Sequence, residues 1–205
     1  RFLKTMISNL PGMVFRCRID QDWTMDFISG GCRQLTGYGP QELIHSKALS
    51  FNDIIHADDR ARIWEEIQLA LAMGDSYEVE YRIVRKDGVT REVWEHGNRV
   101  RSSSGKTSIL EGYITDITER KAAERASSEA HQTFLTVLDS IDATIYVADM
   151  QTYEVLFMNK HMVDSFGRDA TGKKCHSEFR KSAAPCDFCT NVELLDANGN
   201  PVGVC

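Results

Sequence analysis

The sequence predicts an α+β fold: a five-stranded antiparallel sheet with short helices on one face, then a helical linker and a second, partial domain of the same kind. Three observations carry this. Strand-like alternation occurs in two blocks, Met13–Ser29 and Tyr77–Ile117, with short helical pieces between them. A strand passes directly into a charged, alanine-rich stretch after Asp116, free of Pro and Gly until Gly167. The pattern of Ser8–Ser29 also recurs in Asp139–Asn159, about 130 residues later.

Taken in order, Phe2, Leu3, Met6, Ile7 and Leu10 recur at helical spacing, which assigns residues 1–9 to a leading helix stopped by Pro11-Gly12. Met13–Ile19 and Met25–Ser29 form a hairpin about Asp20-Gln21-Asp22. Pro40 suits the first turn of a short helix, and Asp58 or Asp59 suits the cap of a longer one over Arg60–Met73, stopped by Gly74. In Tyr77–Val84 the residues Tyr77, Val79, Tyr81 and Ile83 share one face, while Glu78, Glu80 and Arg82 share a solvated one. Lys86-Asp87-Gly88 predicts a hairpin with a two-residue Asp-Gly turn into Val89–Val100. Ile109–Ile117 closes the sheet, and Asp116 with Glu119 has the spacing of a capping box. The helix that follows carries Ala123, Ala126, Ala130, Phe134, Val137, Leu138 and Ile141 mostly at three- and four-residue steps. That pattern suits either a solvated linker or a two-stranded coiled coil.

In the repeat, Leu10 falls opposite Ile141, Val14-Phe15 opposite Ile145-Tyr146, and Phe27-Ile28-Ser29 opposite Phe157-Met158-Asn159. The domains are therefore set at 10–118 and 139–205, with a linker helix over 119–138. The second copy is incomplete, since only Val192–Leu195 and Val202–Cys205 stand where its last three strands belong.

Bulk properties narrow the function. A net charge of −6 excludes a general nucleic-acid surface, and no apolar run reaches the length of a membrane span. No signal peptide is visible, and six unevenly placed cysteines do not form a secreted disulfide framework, so a reducing cytoplasm is expected. No Ser/His/Asp set, paired-carboxylate site or P-loop stands out, which argues against an enzyme.

The first copy resembles the PAS sensor family in its variant with a C-terminal PAC segment. The resemblance rests on Phe27-Ile28-Ser29, Leu35-Thr36-Gly37-Tyr38 with Glu42-Leu43, His56-Ala57-Asp58-Asp59-Arg60, Tyr81-Arg82 before Lys86-Asp87-Gly88, Trp94, and Gly112–Arg120. It covers roughly residues 5–120, and the repeat extends it more loosely to 131–205. It implies a five-stranded sheet with flanking helices and a sensory or dimerising role in a bacterial-type signalling protein. The signal would leave through the junction Asp116, Ile117, Thr118 and Glu119. The output module implied, a histidine kinase or a diguanylate cyclase, lies outside these residues, and a homodimer paired through the flanking helices is expected. A ligand-free dimerisation and spacer module is the alternative.

The same resemblance bears on cofactors. Flavin-binding light sensors of this family carry a reactive cysteine ten residues after the motif tyrosine. Here Ala48 stands ten residues after Tyr38, so that thiol is missing. Haem-binding members place an axial histidine on the long helix, yet none occurs between Arg60 and Met73, and His56 reads as a cap-region residue. What remains is an empty domain or a small organic ligand between the helices and the inner sheet face. Phe15, Phe27, Leu35, Ile54, Ile67, Tyr81, Trp94 and Ile114 are the residues expected to line that cleft, or to fill it. Cys32 is expected to be core.

Cys175, Cys186 and Cys189 lie within fifteen residues and include a C-x-x-C pair. With His176 or Cys205 as a fourth ligand they suit zinc. An iron–sulfur cluster, a dithiol–disulfide switch and a purely structural role stay open beside it.

Overall fold

The computed structural model describes residues 10–45, 49–101, 108–187 and 189. The leading helix over 1–9, Ala48, and the last strands expected in the second copy lie outside these residues. The chain divides into two units, Arg1–Arg125 and Ala126–Cys205.

In the first unit, β1 (Met13–Arg18) and β2 (Met25–Ile28) form the expected hairpin. Short helices α1 (Cys32–Thr36), α2 (Pro40–Leu43) and α3 (Phe51–Ile54) follow, and a 3-10 turn at Ala57–Asp59 leads into α4 (Arg60–Met73). Then come β3 (Ser76–Val84), β4 (Thr90–Arg101) and β5 (Ser108–Asp116), giving a sheet of order β2-β1-β5-β4-β3 with every neighbouring pair antiparallel. The inner face packs with the short helices and α4 into one core, to which Met13, Phe15, Ile54, Ile63, Ile67 and Ile114 belong.

Two sequence motifs receive a structural reason here. Asp59 is buried and accepts hydrogen bonds from the Arg82 backbone N–H at 2.9 Å, Nε at 3.0 Å and Nη2 at 2.7 Å. These tie the start of α4 to β3, and the Arg82 hydrogen bonds hold the Asp59 carboxyl down at about 2. Gly97 and Gly112 pair across β4 and β5 at the centre of the sheet. A Cβ at Gly97 would sit 2.4 Å from the Tyr77 ring, and one at Gly112 would sit 2.7 Å from the Phe15 ring. The two glycines make the room those aromatic rings occupy.

The β3–β4 hairpin departs from expectation by one residue. Its loop is three residues long, Lys86-Asp87-Gly88, closed by Arg85 N–H to the Val89 carbonyl at 2.9 Å with Gly88 at φ 81°. A two-residue turn would set Tyr81 opposite Trp94, whereas Tyr81 pairs with Val93 and Val79 with Glu95. Because side chains alternate, that slip sends Val93 and Glu95 inward and Trp94 outward.

A single helix, α5 (Thr118–Ser140), follows β5. In the second unit β6 (Tyr146–Ala148) and β7 (Val155–Met158) form a hairpin, followed by α6 (Lys160–Phe166) and α7 (Cys175–Arg180). Val155, Met158, Met162 and Ala170 make its small core.

Candidate functional site

The inner face of the first sheet holds a void of about 10 Å³, about the room one water needs. Phe15 and Cys17 of β1, with Trp23 and Met25 of the first hairpin, form one side. Phe51, Ile55, Ile63 and Ile67 supply the helical wall, and Tyr81 and Glu95 come from β3 and β4. Glu95 is 6% exposed. Its carboxyl group accepts a hydrogen bond from the Tyr77 hydroxyl at 2.5 Å and another from the Tyr81 hydroxyl. Burial pushes the Glu95 carboxyl up from its ordinary value, against the pull of those two donors. Burial also raises the Cys17 thiol and, with the nearby Glu95 charge, both tyrosine hydroxyls.

Of the expected lining residues, Phe15, Ile67 and Tyr81 reach this void. Ile54 and Ile114 are buried in the surrounding core. Leu35 is buried and borders a separate cleft of about 160 Å³ with Pro11, Gln34, Thr115 and Asp116. Two expectations are corrected. Phe27 is 45% exposed, because it pairs with outward Arg16, while Ile28 pairs with buried Phe15 and a one-residue register shift at Asp26 returns Met25 to the inner face. Trp94 lies on the outer face and stacks on His96 with ring centroids 6.0 Å apart, as the hairpin slip requires. Glu95 is the residue that sequence reasoning missed, and the true loop length was the signal that would have found it.

The four junction residues act on the start of α5. Asp116 accepts the Thr118 N–H through its side chain at 2.8 Å, an i to i+2 contact in place of the expected capping box. Ile117 is buried, its N–H reaches the Glu92 carbonyl at 2.9 Å, and its own carbonyl takes the Lys121 N–H. Thr118 Oγ1 accepts the Glu92 N–H at 3.0 Å, so the first helical residue is pinned to β4. Glu119 lies in the first turn, where an acid complements the helix dipole.

Beyond these, outward acids of the sheet hold the helix. Glu80 of β3 pairs with Arg120 at 3.0 Å and Lys121 at 2.5 Å, and Glu92 of β4 pairs with Arg125 at 2.5 Å. Glu80 therefore does more than form a solvated face.

At the other end of α5, Asn159 is fully buried. Its Nδ2 donates to the Leu138 and Ala143 carbonyls at 3.0 and 2.9 Å, and its Oδ1 accepts from the Ile145 and Met162 N–H groups at 3.0 and 3.1 Å. The repeat explains its place. Ser29 stands opposite it in the first copy and accepts the Val14 N–H through Oγ at 3.0 Å.

Cys175, Cys186 and Cys189 are free and half-buried, and they neighbour Tyr146, whose hydroxyl is raised first by burial. The Cys189 N–H closes a turn onto the Cys186 carbonyl at 3.0 Å. Among the described residues no three Cys, His, Asp or Glu side chains group as a metal site, and Cys205 lies outside them. His176 turns inward from α7 and meets the Tyr153 ring edge-on at 5.6 Å. His56 accepts the Asp58 N–H through Nδ1.

Comparison with known proteins agrees with this architecture. Residues 25–114 match a family described as PAS fold, and residues 132–198 match one described as PAS domain. The methyl sulfide methyltransferase-associated sensor of Methanosarcina acetivorans is 33% identical over 123 residues, covering 60% of this chain and 12% of that protein. A blue-light-activated histidine kinase of Brucella ovis is 33% identical over 108 residues, covering 50% of this chain and 21% of that one. The chain thus spans roughly an eighth to a fifth of the length of these curated relatives. Among solved structures, a sensory box histidine kinase/response regulator from Burkholderia thailandensis E264 aligns with a TM-score of 0.51 at 25% identity, over 65% of this chain and 98% of that one. With matches to both copies and the shared five-stranded sheet, the chain belongs to the PAS family, as two PAS domains in tandem.

Proposed function

We propose that this chain is the non-catalytic sensory region of a signal-transduction protein. In this reading a small ligand in the first domain's cavity biases the packing of β3 and β4, and α5 carries the bias toward an output domain beyond these residues. One observation carries it: the same two strands serve both sites. β3 turns Tyr81 to the cavity and Glu80 to the helix, and β4 turns Glu95 to the cavity and Glu92 to the helix. A ligand with unequal affinity for two strand packings would shift the population of helix states. The relatives named as histidine kinases support an output of that type, with a diguanylate cyclase as the other candidate. The exposed stripe of Phe134 and Val137 on α5 supports pairing with a second copy. Among the described residues no helix is long and apolar enough to cross a membrane, and we assign the module to the cytoplasm.

The test uses the full-length protein. Asp116→Ala removes the acceptor for the Thr118 N–H, and Glu80→Gln with Glu92→Gln removes the acids that hold Arg120, Lys121 and Arg125. Each change should alter basal output activity. Unchanged output in both would overturn the junction reading. A void of the size found here also favours a second reading, a ligand-free spacer. Xenon under pressure separates the two, because a closed spacer core would show no cavity-specific shifts.

A further inference from the structure

Glu95 is the one carboxyl group facing the cavity, and no basic side chain among the described residues offsets it. The groups acting on it besides burial are the two tyrosine hydroxyls. A carboxylate has about four lone-pair positions, so two donors leave it further capacity to accept. The rest of the wall is aromatic, aliphatic or sulfur-bearing, with Phe15, Trp23, Phe51 and Tyr81 presenting rings. An anion entering here would meet the charge of Glu95 with nothing to balance it. A purely apolar ligand would leave that charge as costly as before. A small organic cation would answer both features, with N–H groups for the carboxylate and a charge for the ring faces.

We propose that the first domain's cavity recognises a small protonated amine, with the Glu95 carboxylate as its counter-ion and the surrounding rings as its apolar seat. This rests on the reading of the cavity as a ligand site and adds the chemical class. The void limits the ligand to the scale of a monoalkylammonium ion, admitted with modest movement of the wall. Tyr77 and Tyr81 are positioning residues, which hold the carboxylate in place. Gly97 gives Tyr77 the space to do so.

The experiment is a titration of the isotope-labelled 205-residue chain with methylammonium and ethylammonium chloride at constant ionic strength. Methanol and ethanol serve as neutral counterparts, and xenon as an uncharged cavity probe. The amines should give saturable shifts at the Trp23 indole, at Phe51 and at the Glu95 side-chain carboxyl carbon. The alcohols should bind about tenfold more weakly or worse, and Glu95→Gln should erase that difference. Equal binding of amines and alcohols, amine binding unchanged in Glu95→Gln, or amine shifts confined to outward acids would each overturn the proposal. If xenon or the alcohols reach the cavity and the amines do not, the amine class falls while the ligand site stands. If nothing enters, both fall. Should Glu95→Gln not hold the fold, the wild-type Glu95 carboxyl carbon decides. It must move with the amines at concentrations where the alcohols leave it still, and any other result overturns the proposal.

Discussion

The two ends of α5 are held by different physics. At its start the ties are Asp116, Thr118 and outward ion pairs to Glu80 and Glu92, most of them open to water. At its end a single buried amide, Asn159, bonds the Leu138 carbonyl of the helix, the Ala143 carbonyl just beyond it, and the Ile145 and Met162 N–H groups that follow. Exposed ion pairs are each worth little and weaken with salt, whereas buried hydrogen bonds are costly to break. The contrast teaches where adjustment is cheap. The first end can be retuned by small energies, and the second end is fixed to its domain.

The largest effect should come from breaking the fixed end. Asn159→Ala leaves buried carbonyl and N–H groups without partners and should cost about 3 kcal/mol or more, read as a lowered urea midpoint for the second domain. The matching change in the first copy, Ser29→Ala, removes one hydrogen bond and should cost about 1 kcal/mol. Equal losses at the two positions would break the comparison.

Next in size is Asp59→Asn, which loses the charge-assisted bonds to Arg82 and should cost about 2 kcal/mol in the first domain. The wild-type Asp59 contribution should be intact above the usual carboxylate range, because its folded value is depressed. It should fade as the pH falls from about 4 toward 2, and an acid titration of Asp59→Asn should lack that loss.

The two faces of β3 and β4 should respond oppositely to acid. Hydrogen bonds from Lys121 and Arg120 hold the Glu80 carboxyl low, so its contribution is present above the ordinary range and is lost on acidification. The Glu95 value is raised, so its neutral form suits the fold, and stability falls as pH rises through that raised value. Tyr77 and Tyr81 of β3, Cys17 of β1, and Asp20 and Asp26 of the first hairpin are the titratable groups around that site. Lowering pH from 7 should therefore stabilise the wild type relative to Glu95→Gln and destabilise it relative to Glu80→Gln. Paired denaturation curves across pH check both signs.

Salt sharpens the comparison with a smaller effect. Raising ionic strength should speed amide exchange over residues 118–125 and leave residues 138–143 nearly unchanged. The double change Glu80→Gln with Glu92→Gln should reproduce the effect at low salt, with about 1 kcal/mol or less of total stability lost. The smallest structural perturbation is chemical labelling. Cys175, Cys186 and Cys189 should react with a maleimide in the native protein, and buried Cys17 and Cys32 only after denaturation, as peptide mass spectrometry would show.

Much of this was legible in the chain. The alternation of Tyr77, Val79, Tyr81 and Ile83 marked the inner face of β3, and the repeat placed Asn159 opposite Ser29. The face of β4 was not legible, because Asp-Gly suits both a two-residue turn and a three-residue loop, and that one residue exchanges Trp94 for Glu95. Glu80 looked solvated because its partners lie forty residues on, and pairwise charge across such a distance leaves no local pattern. Asn159 could be aligned, but its role could not be read, since its partners are backbone groups and carry no sequence signature.

The Asn159 arrangement also dictates how this region can be cut and joined. The Leu138 carbonyl near the end of α5 takes a hydrogen bond from Asn159, about twenty positions downstream, so a chimera spliced at Ser140 would leave that bond behind. A splice between Ala126 and Thr133 leaves both anchorages whole, and grafts made there should differ only in the rotational phase of the helix, one residue turning the cargo by about 100°.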